Sequence, residues 1–242
     1  VEKVSAMGYG NAINALSDNE GGVAKYFSQR FAQVTNPPLD SLRESDGMTL
    51  RVSLGEKPHF GVSRSMQIVL SSPILRMSDV LRIRSQKKTP CEEFEILYEP
   101  DLRDSNANQK RLIEAIDSIS IKVSNFAKEH GGIAILTDRH ISVSKAAIPS
   151  TLAVSAVNQR LIQDGVRLKI SLLLESGQIA SSHHCACALG FGASAVYPLA
   201  VRLRAEELFP KEGEALEAFM RYKKAAEKAL LKTMGKIGLC TV

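Results

Sequence analysis

Between residues 93 and 198 the apolar and polar positions follow two rhythms that replace each other in turn. "EFEILYEP" (93–100) has the period of two of a half-buried strand. "NQKRLIEAIDSISIKVSNFAKEHGG" (108–132) instead repeats its apolar residues at helical spacing and ends on glycines, a helix stop. "IAILTD" (133–138) is the short continuous apolar run required of a parallel strand buried on both faces. In a second unit, "IPSTLAVSAVNQRLIQDG" (148–165) reads as a helix with proline near its first turn and a terminal glycine, and "LKISLLLES" (168–176) as a strand. "IASSHHCACALG" (179–190) then reads as a helix and "ASAVYP" (193–198) as a strand. Strand, helix and strand at this spacing predict βαβ units and a parallel sheet with crossover helices, an α/β fold of layered or barrel type.

The flanks are less regular. "VAKYFSQRFAQV" (23–34) has the spacing of an amphipathic helix, and "TNPPLDSLRES" (35–45) must leave it, because a residue before proline disfavours the α region. A long irregular connection leads from there to "SSPILRMSDVLRIRS" (71–85); such connections cover a partner or carry a site. Near the C-terminus, "RYKKAAEKALLK" (221–232) alternates lysines with alanine and leucine as an amphipathic helix does. The chain shows no internal repeat and no low-complexity tract.

A chain of 242 residues, 44% of them hydrophobic, can bury a substantial core. No apolar run reaches bilayer length, and "VEKVSAMGYG" lacks the apolar stretch of a signal peptide, so no membrane partner is expected. A first residue other than methionine suggests a piece cut or processed from a longer protein. Four irregularly placed cysteines, two of them one residue apart, point to thiols in a reducing cytoplasm rather than to a disulfide framework. The formal charge of +5 is concentrated in "RSQKK" (84–88) and the C-terminal helix. With no tryptophan and only 5% aromatic residues, it reads as solvated surface and implies no nucleic-acid partner.

Candidate chemistry lies at three places. In "SSHHCACALGFG" (181–192), His183 and Cys187 are four apart and His184 and Cys187 three apart, so a pair could share a helix face. A structural zinc needs four such ligands and a catalytic one usually three, and Cys91, Cys240, His59, His130 and His140 are scattered. The stretch reads better as the apolar face of a helix ending at Gly190, with no metal. "MGYGN" (7–11) has neither the preceding strand nor the lysine of a phosphate loop, and reads as a turn. "LTDRH" sets Asp138, Arg139 and His140 just beyond a strand end, and "ESGQ" does the same for Glu175 and Ser176, the rim where parallel α/β folds gather their active sites. Capping of the next helix by Asp138 or Ser142, and local pairing of Arg139, account for the same residues. No "GxSxG" occurs. Two functions remain open on these grounds: a freestanding α/β-barrel enzyme with a rim site at Asp138, Arg139, Glu175 and Ser176, or a basic binding module.

Longer motifs carry a resemblance. "KYFSQRFAQVTNPPLDSLRES" (25–45), preceded by "MG", resembles the "FAQVTNPP" signature of the central domain of the glutamate synthase large subunit. "LSSPIL" (70–75), the run from "ILTDRH" to "LLLESGQ" (135–178), "HHCACALGFGASAVYPLA" (183–200) and "YKKAAEKALLKTMGKIGLCTV" (222–242) follow that family's motifs in the same order. Tyr9 and Gly10 depart from its usual Asn or Asp, and Gly235 and Leu239 from its Ser and Ile.

This resemblance implies an incomplete, TIM-barrel-like α/β domain over residues 1–242, with an irregular N-terminal part and a tail from about residue 213 that leads toward an FMN-binding synthase domain. It implies a connecting role in an oxidoreductase that forms glutamate from glutamine and 2-oxoglutarate. An amidotransferase domain with a cysteine nucleophile releases ammonia, a tunnel carries it, and the synthase domain holds FMN and a three-iron four-sulfur cluster. A reductase subunit or ferredoxin supplies electrons. The chain has neither the terminal nucleophile nor the cysteine run of such a cluster, so it is expected to bind no cofactor and to be inactive alone. Met7, Gly8 and Asn11 are placed by the resemblance near the flavin of the neighbouring domain. Residues 5–11 and 234–242 are expected at that seam, loosely held without it.

Overall fold

The computed structural model describes residues 23–27, 47–58, 66–211 and 213–242. Met7, Gly8, Asn11 and most of the helix expected over 23–34 lie outside them; Val23–Tyr26 forms one 3-10 turn. Two short strands, β1 (Val52–Leu54) and β2 (Ile68–Leu70), pair antiparallel ahead of helix α1 (Met77–Ser85). The βαβ series follows: β3 (Cys91–Glu95), β4 (Leu97–Tyr98), α2 (Ser105–Glu129), β5 (Gly132–Thr137), β6 (Ala146–Ala147), α3 (Ser150–Gln163), β7 (Ile170–Ser176), α4 (Ser182–Gly190) and β8 (Ala195–Pro198). Helices α5 (Leu199–Leu208) and α6 (Glu214–Ile237) close the chain.

Strands β3, β5, β7 and β8 form one parallel sheet in that spatial order. Among the described residues it does not close into a barrel, so the domain is α/β with an open, incomplete barrel-like sheet. Every residue of β5 and of β7 is buried, as continuous apolar runs demand. One face carries Ala134, Leu136, Leu172 and Leu174 against Val123 and Phe126 of α2 and Val154 and Val157 of α3. The other carries Ile133, Ile135, Leu173 and Tyr197 against Val80 and Ile83 of α1 and Phe219 of α6. Helix α1 therefore covers the face that a closed barrel would turn inward.

Two boundaries differ from the expectation. The strand over 93–100 breaks at Ile96: its amide donates to Thr137 O, the last bond to β5, and Leu97–Tyr98 then pairs antiparallel with Ala146–Ala147. Helix α4 begins at Ser182, not at 179, and ends at Gly190 as expected; beyond it Gly192 takes φ 121° and the Ala193 amide reaches back to Ala188 O. Elsewhere the glycine stops lie as expected, at Gly131 (φ 67°) after α2 and Gly165 (φ 70°) after α3. No helix among the described residues is long and apolar enough to cross a membrane.

The C-terminal tail is held more firmly than expected. Leu230 and Met234 pack on Met48, and the Thr49 amide donates to Cys240 O at 2.9 Å. At the sheet edge, the buried Lys223 ammonium donates to Ile74 O (2.7 Å) and to Glu227, tying α6 to the segment beside β8.

Candidate functional site

The carboxyl ends of β5 and β7 bring together the residues expected there. Register places Glu95, Thr137, Glu175 and Tyr197 in one row across the four strands, so they share a face of the sheet. Glu175 is fully buried. Its Oε2 accepts from Arg84 Nη2 at 2.7 Å and from Thr137 Oγ1 at 2.9 Å, and its Oε1 accepts from Arg139. Arg84 also donates to Glu93, Nε to Oε1 at 2.5 Å. Burial opposes ionisation of Glu175, but hydrogen bonds from Arg139, Thr137 and Arg84 outweigh it and hold the carboxyl below its ordinary pKa. The Tyr197 hydroxyl, pushed up by burial, stays neutral beside this pair.

Asp138 turns to the other side of the rim. Ser176 Oγ donates to its Oδ2 at 2.6 Å and the Gly177 amide to its Oδ1 at 2.9 Å, while the Gln178 amide group donates to Ile148 O. Asp138 and Ser142 cap no helix: α3 begins after Pro149 without a side-chain cap, and α4 takes its cap from Ser181, which accepts from the His184 amide. The capping reading is corrected in both places because the loop from 138 to 149 separates Asp138 from the helix by more than one turn. Arg139 pairs with Glu175, 36 residues away, so the local pairing is corrected as well. His140 moves off to Glu95, Nδ1 to Oε1 at 2.7 Å, on the exposed lip.

Chemically the rim is self-satisfied. Both carboxylates accept from donors of the chain itself, so the arrangement ties the strand ends to each other and to α1. Arg84, Glu93 and Thr137 were not foreseen at this site. A signal for Arg84 existed: it follows Val80 and Ile83 on the buried stripe of α1, where a charged residue demands a partner.

The "HHCAC" stretch resolves into packing. Cys185 is buried against the helix layer, with its thiol pushed up to about 12 by burial, and His183 Nε2 lies 3.6 Å from Cys187 Sγ. Among the described residues no group of three or more His, Cys, Asp or Glu could hold a metal. Cys91 opens β3 and Cys240 follows α6, so the four thiols do not fit an iron–sulfur cluster. Arg84 and Arg139 are already engaged with Glu93 and Glu175, so the rim does not fit a flavin phosphate either.

An open parallel α/β sheet with internal ion pairs across its rim defines an incomplete barrel-like domain of the α/β class. The chain belongs to the glutamate synthase central domain family, which it matches over residues 1–242. It is 35% identical to a ferredoxin-dependent glutamate synthase of Cyanidium caldarium over 98% of this chain and 16% of that protein. It is 31% identical to the glutamate synthase [NADPH] large chain of Bacillus subtilis (100% and 16%) and 29% identical to the glutamate synthase [NADH] of Saccharomyces cerevisiae (100% and 12%). The chain thus spans about a sixth of the length of the ferredoxin- and NADPH-named relatives. Among solved structures, a flavocytochrome b2 with sulfite bound aligns with 70% of this chain and 37% of its own at 16% identity and a TM-score of 0.38, too low to carry an argument.

Proposed function

We propose that this chain is the connecting domain of a glutamate synthase, which positions a glutamine amidotransferase domain and an FMN synthase domain in one polypeptide and helps wall the path of ammonia between them. The reaction of the whole protein is the formation of glutamate from glutamine and 2-oxoglutarate, in the cytoplasm, with FMN and a three-iron four-sulfur cluster in the neighbouring domain. Residues 1–242 act as one unit, and the tail from about residue 213 leads toward the synthase domain. The observation that carries the reading is the full-length family match together with the small share of each relative that the chain covers. Those relatives are named for ferredoxin, NADPH and NADH, so what they share here is a role independent of the electron donor. A wall is physically needed because ammonia released to solvent is protonated and lost as a nucleophile.

The internally satisfied rim supports a structural role over a freestanding enzyme at Asp138, Arg139 and Glu175. In the intact polypeptide, Met7, Gly8 and Asn11 lie near the flavin. Met7→Ala and Asn11→Ala are expected to slow the synthase half-reaction while glutamine hydrolysis is retained. Assaying both half-reactions tests this, and an unchanged synthase rate in both variants would remove these residues from the flavin's surroundings. Turnover by the 242-residue chain alone would overturn the connecting role.

A further inference from the structure

The two edges of the parallel sheet are finished differently. At β8 the edge is covered, with the Leu75 amide donating to Val196 O and the Val196 amide to Pro73 O. At the opposite edge, β3 has β5 as its one strand neighbour among the described residues. In a parallel ladder alternate residues bond to a given neighbour. Pro90 O accepts from Ile133 and the Ile96 amide donates to Thr137 O, so the even-numbered peptide groups face β5. Those of Cys91, Glu93 and Glu95 point outward, a row of amides and carbonyls along roughly 16 Å of strand.

This edge opens into a groove of about 770 Å³ between β3 and α2. Its floor is apolar, with Tyr98, Ala115 and Phe126. Glu92, Glu93, Glu95, Glu99 and Glu129 line it against Lys122 and Lys145, in a chain whose overall charge is positive. Arg84 engages Glu93, while His140 and Lys145 engage Glu95; Glu92 and Glu99 have no ion-pair partner among the described residues.

We propose that the groove binds an extended, lysine- or arginine-bearing polypeptide segment of a partner, which adds to β3 as an edge strand. Main-chain bonds to Cys91, Glu93 and Glu95 supply the pairing, and alternate side chains of the segment meet the apolar floor and the glutamates. The competing role for the same glutamates is to keep edge strands from pairing at all. The proposal is argued from the free edge and the charge of the groove alone, so it and the connecting role can fail separately.

The test is titration of the 242-residue chain with the acetylated, amidated peptide Lys-Val-Lys-Val-Lys-Val-Lys, followed by amide-resolved NMR and hydrogen exchange. Saturable binding is expected, with new protection at the Cys91, Glu93 and Glu95 amides. Glu92→Lys with Glu99→Lys, two exposed changes that leave the fold intact, should weaken it about tenfold. Glu93→Pro removes one outward amide without breaking a bond to β5 and should abolish protection along the edge; a dichroism spectrum matching the unmodified chain keeps that result interpretable. Absence of saturation at about 1 mM peptide overturns the proposal, as does equal binding of the Glu-Val counterpart or protection confined to residues outside β3.

Discussion

Arg84 and Glu175 are 91 residues apart in sequence and 2.7 Å apart in space, joining α1 to the end of β7 across the face of the sheet. The carboxylate is wholly buried and the guanidinium mostly so. Removal of one partner from such a pair leaves the other charged and desolvated. Glu175→Ala is therefore expected to cost about 3–5 kcal/mol in urea unfolding. Arg84→Met should cost less, because Arg139 and Thr137 still donate to Glu175. The double variant should fall well short of the sum, since both changes break the same contact.

Acid should loosen the domain with a definite sign. Donation from Arg76 holds the Asp79 carboxyl below its ordinary range, donation from Lys128, Ser124 and Arg160 does so for Asp164, and Glu175 is lowered as described. Each pKa is lower folded than unfolded, so the unfolded chain binds the proton more tightly. Their stabilisation is complete above the unfolded value, near pH 4, and is lost as pH falls through the folded ones. Urea midpoints should be flat from about pH 7 to 5 and drop below about pH 4. The drop should be shallower in Glu175→Gln, which cannot take up that proton.

The four thiols should react in an order set by burial. Cys240 is exposed, whereas Cys185 is buried and Cys91 is pushed up to about 11 by desolvation. An aromatic disulfide reagent at pH 8 should modify Cys240 first and reach Cys185 only as the chain unfolds. Peptide mapping after brief labelling checks the order, and early loss of the Cys185 thiol would contradict the packing reading of "HHCAC".

Two glycines with positive φ separate strain from crowding. At Gly165 (φ 70°) an added Cβ meets open space, so Gly165→Ala should cost about 1 kcal/mol, the price of the left-handed backbone alone. At Gly132 (φ 100°) the same Cβ would lie 2.2 Å from Pro90 O, a main-chain atom between β3 and β5 that cannot turn aside. Gly132→Ala should therefore lose about 3 kcal/mol or more, or fail to fold. Thermal and urea unfolding of the pair distinguish the two contributions.

The long strands and the helices from residue 91 to 198 were legible one by one because their signals are local, whereas the two-residue pairing of β4 with β6 had none. A continuous apolar run such as "IAILT" must be buried on both faces whatever surrounds it, and a glycine such as Gly165 ends a helix through its own backbone freedom. The rim positions of Asp138 and Glu175 were legible for the same reason, since both follow directly from where a strand ends. The partners of those residues were not. That Glu175 would meet Arg84, that Asp138 would take the Ser176 hydroxyl instead of capping a helix, and that the strand would break at Ile96 all depend on register and on which helix covers which face. Long-range pairs of this kind carry no periodicity in the chain. They arise when burial brings a charge such as Glu175 under α1, where guanidiniums from that helix and from the loop after β5 together offset its lost hydration.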